Sequence, residues 1–420
     1  QIFVMVMLLP EYTLLRIMRK SRLLLLLCFS CFMAPPVLSG QSLRESRFVE
    51  RAQQGFADIF NMDYDRARQV FAALSREYPT HPAPPLYEAS ILWLEEMLRR
   101  QDLSMNRFIA PGYFSEKTGH VMPPKDRAAF LDYLQKSQEL SKAILDTNRN
   151  DPDARYFLAT AQGLRASFAI TIDHSLRDAF RNGNRAFASL KKLVEERPDY
   201  YDAYLAVGIY EYIVGSIPWY LKWMAYFVGA RGTREAGMEH VGLAAERGQY
   251  VSNESRLVLM VLDVRERRFP QALELARSLS ARFPRSFLLA MNVAQTLRLS
   301  GRKQEASEAL LEIERRVEAK EPNFDRLPLQ NFRFDMAVEL MSMSQLDPAE
   351  ERFRRCIEDP LTSTKHKALS HLRLGRILEW KHRPAEAVRE YRSVLAMGDF
   401  EGSRSQARRW LKRIEGGKED

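Results

Sequence analysis

The chain has 420 residues, 46% of them hydrophobic and 28% charged, with a formal charge of +9. That composition supplies apolar surface for a packed core and excludes a wholly disordered chain. Lys and Arg are interspersed among Asp and Glu, whereas a nucleic-acid binder would cluster them on one face or in a run, so no nucleic-acid partner is expected.

From the start of the chain, Met18-Arg19-Lys20-Ser21-Arg22 precedes an apolar run from Leu23 through Phe29 toward Ala34. The run is shorter than the roughly 20 residues that span a bilayer, and it reads as an export signal. Val37 and Ser39 suit cleavage after Ser39, with Gly40 as a neighbouring alternative; Met18 is a candidate true start. An uncleaved anchor and a lipoprotein site at Cys31 are the competing readings, the second opposed by Cys28 three residues before it. The expected localisation is therefore the periplasm or cell envelope of a bacterium. Two of the three cysteines fall in this segment, which leaves Cys356 alone in the rest of the chain and stability to packing. On a predicted helix Cys356 reads as a small core residue.

After Gly40 apolar residues recur at three and four, and alternating β-branched runs are missing, so the chain is expected to be all-α. A first hairpin spans about 48–79. One helix carries Phe48, Val49, Ala52, Gly55, Phe56 and Ile59; Asn61-Met62-Asp63 turns; a second helix carries Ala67, Phe71 and Leu74 and ends at Pro79. Gly55 and Ala67 are small where the helices should cross, and Phe71 fills the space beside them.

The Gly55, Ala67, Phe71 spacing returns at Gly375, Ala387 and Tyr391. Intermediate copies carry Ala203, Tyr204 and Gly208 after Ala186, Leu190 and Leu193; Ala272, Ala276, Leu279 and Pro284; Ala294, Ala306, Leu310 and Ile313; and Ala337, Ala349, Phe353 and Cys356. Pro270, Pro348 and Pro384 mark second-helix starts, and Asp347-Pro348-Ala349-Glu350 predicts a capping box. Residues 403–415, with Trp410, Leu411 and Ile414, predict a closing helix.

This spacing resembles the tetratricopeptide repeat, a 34-residue helix-turn-helix unit, in a bacterial exported form. The resemblance implies a right-handed superhelix of helical hairpins that binds a protein or peptide. The organisation expected is a signal at 1–40, a helical region at 41–165 with a loop insertion at 101–126, repeats at 166–400 with an aromatic insertion at 215–232, and a cap and tail at 401–420. In that insertion Trp219, Trp223 and Phe227 share a stripe if the segment is helical, which reads as core, or as a membrane-interface or ligand-lining surface. Together with Gly232-Thr233-Arg234-Glu235-Ala236-Gly237, it also has a distant similarity to eukaryotic outer-membrane tetratricopeptide proteins linked to inclusion-body clearance.

No catalytic signature stands in the chain: H-E-x-x-H, G-x-S-x-G and a phosphate-binding loop are all missing. His366 and His371 fall on different faces, His240 is placed in the core after Ala236, and Glu95-Glu96 and Glu195-Glu196 read as solvated pairs. No enzyme activity, cofactor or metal is expected. The tetratricopeptide resemblance places the concave surface on the first helix of each hairpin. Its candidate partner-binding residues are Phe56, Ile59, Tyr212, Gln295, Arg298 and Arg376, with Trp219 and Trp223 from the aromatic insertion. The terminal-carboxylate clamp of Lys and Asn is missing from the aligned hairpins; the apolar lining points either to an amphipathic helix or extended apolar segment as guest, or to closure by the chain's own insertions. The sequence thus predicts an exported scaffold, monomeric or weakly self-associating, for a protein or peptide. A peripheral membrane or lipid-binding module using 215–228 is the alternative.

Overall fold

The computed structural model describes residues 43–100, 121–217, 232–327 and 329–416. Among them lie seventeen α-helices that follow one another as antiparallel hairpins. The chain divides into two compact units, Gln1–Phe283 and Pro284–Asp420.

The first unit pairs α1 (Ser46–Phe60) with α2 (Tyr64–Glu77), α3 (Ala83–Arg99) with α4 (Pro124–Thr147) and α5 (Pro152–Thr171) with α6 (Leu176–Glu196). It continues with α7 (Tyr204–Ser216) on α8 (Arg234–Arg247) and α9 (Ser252–Arg265) on α10 (Phe269–Arg282). The second unit pairs α11 (Phe287–Leu299) with α12 (Lys303–Glu318), α13 (Leu329–Ser342) with α14 (Leu346–Glu358) and α15 (Thr364–Trp380) with α16 (Pro384–Leu395). The capping helix α17 (Ser403–Gly416) covers α16. The fold is all-α and tetratricopeptide-like. The boundary drawn from sequence at 165/166 falls inside α5.

Two local devices repeat. Where the first helix of a hairpin turns into the second, one residue is left-handed: Met62, Arg267, Gly301, Ser344 and His382, with φ of 67°, 57°, 79°, 65° and 55°. The next amide then bonds back across the turn, as in Asp63 to Asp58, Arg268 to Asp263, Gln345 to Leu340 and Arg383 to Leu378, at 2.7–2.9 Å. This is the Schellman closure, which satisfies carbonyls the helix end leaves open. Only one of the five is glycine, so the others carry a steric cost of about 1–2 kcal/mol. Ser344 is exposed, and Ser344→Gly is expected to stabilise the second unit by about 1 kcal/mol. A higher urea midpoint for the variant checks this, and an unchanged or lower one would contradict it.

The second device is the crossing itself. A Cβ added at Gly55 would sit 2.5 Å from the Phe71 ring, and at Gly375 it would run into the Tyr391 ring. Each glycine thus makes room for the aromatic four residues after the partner helix's alanine. Phe71 and Tyr391 are fully buried. Burial of this alternating small-and-bulky seam drives each hairpin together.

Four sequence expectations are corrected. The 101–126 loop ends earlier than expected: Pro124 already opens α4, because proline suits the first helical position; residues 101–120 lie outside the described set. His240 is half-buried rather than core, with Nδ1 2.6 Å from Glu211 Oε2. The crossing here uses Gly208 and Gly237, not Ala236, so the bulky position falls one residue later, on fully buried Val241. Glu96 is fully buried, with Arg100 Nε donating to it at 2.7 Å and Arg99 paired beside it. It lies on α3, whose neighbours cover it on nearly every side. Asp347 and Glu350 form no capping box: α14 starts at Leu346, before the box, and both carboxylates reach Lys381 just past the end of α15. Burial raises the Glu350 carboxyl, but hydrogen bonds from Lys381 and Arg354 outweigh it and hold the group down at about 2.

Candidate functional site

In the first unit a cleft of about 710 Å³ opens between α8, α9 and α10. Met238, Leu259 and Leu275 give it a half-exposed apolar floor. Around them stand Glu235, Glu239, Asp263, Glu266 and Glu274 against Arg234 and Arg268. Thr233 fixes the start of α8 by accepting from the Ala236 amide at 3.1 Å, which places Glu235, Met238 and Glu239 on one face. The left-handed turn at Arg267 brings the end of α9 beside the start of α10.

The two arginines are engaged. Arg268 lies 2.8 Å from Asp263, and Arg234 lies 3.5 Å from Glu266. Burial raises the Asp263 carboxyl, opposed by Arg268. Glu266 also accepts from the Tyr212 hydroxyl at 2.7 Å, and burial first, then this bond, pushes the phenol up to about 12. Among the described residues Glu235, Glu239 and Glu274 make no ion pair, so the cleft presents negative charge on a chain that is basic as a whole.

A second constellation lies at the start of the first unit. The Arg44 guanidinium donates to Asp153 at 2.6 Å, to Asp202 at 2.9 Å and to Gln249 at 2.8 Å, and it lies 3.9 Å over the Tyr200 ring. Within this unit the Phe60 and Phe283 rings also stack at 4.9 Å, so its first hairpin meets the end of its last helix.

The residues singled out from sequence are dispersed. Phe56 is half-buried against Tyr87 and Phe71, with centroids at 4.7 and 5.8 Å; Ile59 and Tyr212 are covered by the chain itself. Trp219 and Trp223 lie outside the described residues. In the second unit Gln295 is half-buried on α11, Arg298 pairs with Glu339 of α13 at 2.7 Å, and Arg376 lies 5.3 and 4.8 Å from the Trp380 and Trp410 rings. Among the described ones, Tyr212 touches the wall of the cleft, through Glu266. The cleft's carboxylates escape a sequence reading because they sit mainly on second helices, whereas the tetratricopeptide resemblance points to first-helix positions. The available signal was Glu235 and Glu239 at i, i+4 with Met238 on the same face.

Cys356 is fully buried and its thiol is pushed up to about 11 by burial. Among the described residues no three His, Cys, Asp or Glu side chains gather as metal ligands, and no helix is long and apolar enough to cross a membrane.

No protein-family profile matches the chain, and no curated protein matches its sequence. Solved structures with similar backbones include the human IFIT1 dimer with m7Gppp-AAAA, at 14% identity over 89% of this chain and 87% of that one, with a TM-score of 0.38. Yeast Tom70 matches at 11% identity over 88% and 89%, with a TM-score of 0.31. The APC/C hetero-tetramer Cut9–Hcn1 matches at 14% over 83% and 74%, with a TM-score of 0.30. The fold assignment stands on the repeated hairpins themselves.

Proposed function

We propose that this chain is an exported tetratricopeptide-type scaffold that binds a basic amphipathic segment of a protein partner and performs no chemistry of its own. The observation that carries the reading is the cleft between α8, α9 and α10: an apolar floor under unpaired carboxylates fits a segment with a hydrophobic face and flanking Lys or Arg. The same carboxylates oppose a phosphate backbone, which supports a protein rather than a nucleic acid at this place. Export rests on the pattern from Met18 to Ser39.

The test is fluorescence anisotropy with a labelled amphipathic Lys/Leu helix and its Glu/Leu counterpart. The basic peptide is expected to bind with a Kd on the order of micromolar at low salt and to weaken as salt rises. Glu239→Lys with Glu274→Lys should lower its affinity at least about tenfold, a change of about 1.4 kcal/mol. Equal binding of the two peptides, or indifference to the double reversal, would sink the reading.

A further inference from the structure

Leu43 and Arg44 precede the first helix, yet they are held the way a bound peptide is held. The Leu43 carbonyl accepts from His81 Nε2 at 2.9 Å and from the Tyr250 hydroxyl at 3.1 Å. His81 Nδ1 accepts from the Ala83 amide at 3.1 Å, so the proton of the neutral ring is on Nε2, facing Leu43. The Arg44 side chain lies between two carboxylates and over an aromatic face, the arrangement that selects guanidinium over ammonium.

Among the described residues, those that hold these two come from later parts of the chain. His81 stands just before α3, Asp153 in the first turn of α5, Tyr200 and Asp202 just before α7, and Gln249 and Tyr250 just before α9. Four successive hairpins thus each contribute residues at or just before the start of their first helix. The receptor side is also braced on its own: the Tyr200 hydroxyl donates to Asp153 at 2.7 Å, and Asp202 accepts from the Tyr250 and Val251 amides at 2.8 and 3.2 Å. A second observation points to ligand chemistry. The buried Tyr87 hydroxyl, within electrostatic reach of Arg44, Asp202, Tyr156 and Tyr250, has no hydrogen-bond partner among the described residues, so the Leu-Arg pair leaves part of the site's polar capacity unused.

We infer that this is a docking site for an extended, arginine-bearing segment of a partner protein, which the chain's own Leu43-Arg44 occupies in its absence. The charge complementarity of Asp153 and Asp202 to a guanidinium argues for that occupant. The inference rests on the segment-binding reading above but uses a separate site, so charge reversal at Glu239 and Glu274 leaves it unaffected and the two can fail independently.

The experiment uses the full chain and a labelled acetyl-Ser-Leu-Arg-Glu-Ser peptide, with Ala replacing Arg as control. Arg44→Ala is expected to bind the Arg peptide at least about tenfold more tightly than the wild type, and adding Asp202→Asn should remove that binding. The Ala peptide should bind neither. A helical Arg44→Ala protein that binds neither peptide, or both alike, would overturn the inference. Should Arg44→Ala fail to fold, Arg44→Lys keeps the charge without the planar fork and enters the same measurement, where tighter binding of the Arg peptide supports the inference and its absence overturns it. Wild-type dimers that vanish in either variant would assign the site to a second copy's amino-terminal strap and overturn the partner reading.

Discussion

Gly237→Ala is expected to destabilise the first unit by about 3 kcal/mol, while Gly242→Ala, five residues on in the same helix, gains up to about 1 kcal/mol. A Cβ at Gly237 would meet the Gly208 carbonyl oxygen at 2.6 Å and Tyr212 Cα at 2.7 Å. Both are backbone atoms of α7, so no side-chain rotation relieves the contact and the helices must separate. A Cβ at Gly242 meets nothing within 4 Å, and there only the helix propensity of alanine counts. The pair controls for composition: the same substitution in one helix changes sign with position. Urea unfolding of the two variants beside the wild type reads it, and coincident transitions would refute the close crossing of α7 and α8. Tyr212 moves with that crossing and its hydroxyl holds Glu266, so Gly237→Ala should also weaken the basic peptide at the cleft.

The same crossing shows how far the sequence could be read. Gly55 with Phe71 and Gly375 with Tyr391 were visible because the spacing within a hairpin is local and the aromatic sits over a glycine. At α7 and α8 both crossing residues are glycine, and the neighbouring Ala236 offers an equally small side chain one position early. A register set by Ala236 slips by one and carries His240 into the core. Asp347 and Glu350 satisfied a capping pattern, yet Lys381, more than thirty residues away, offers them a charge that a backbone amide cannot match. The left-handed turns escaped because four of the five residues are not glycine. Tertiary packing of the two helices fixes that conformation, not local preference. Arg44 was illegible for a related reason: its partners at Asp153, Asp202 and Gln249 are 109, 158 and 205 residues away, and no periodic pattern connects them.

Glu88→Gln is expected to stabilise the protein by about 2 kcal/mol at pH 8 and by little or nothing below about pH 4.5. Glu88 is buried in α3, 7% exposed, and burial lifts its carboxyl to about 7, with the Arg68 charge opposing the shift. Arg68 is committed to Asp65 at 3.0 Å and to Glu95, so Glu88 feels it only at a distance. The folded state therefore holds this proton up to about pH 7, whereas the unfolded chain releases it near the ordinary carboxyl value. The contribution is fully present below that value and is lost as pH rises through 7. Gln keeps the shape of the protonated acid and cannot ionise, so the variant escapes the loss. His81 runs the other way: burial pulls it down to about 4, against the hydrogen bond to Leu43, so its contribution is complete above the ordinary imidazole value and fades as pH falls through 4. Between about pH 4.5 and 6.5 the two slopes oppose each other. Removing Glu88 should uncover the His81 slope, and Glu88→Gln should then lose stability on acidification more steeply than the wild type. Protonation would put a second donor on Nδ1, facing the Ala83 amide, and loosen the ring that holds Leu43. Urea unfolding at about pH 5 and pH 8 separates the cases, since parallel shifts at both values would place Glu88 in water and remove the argument.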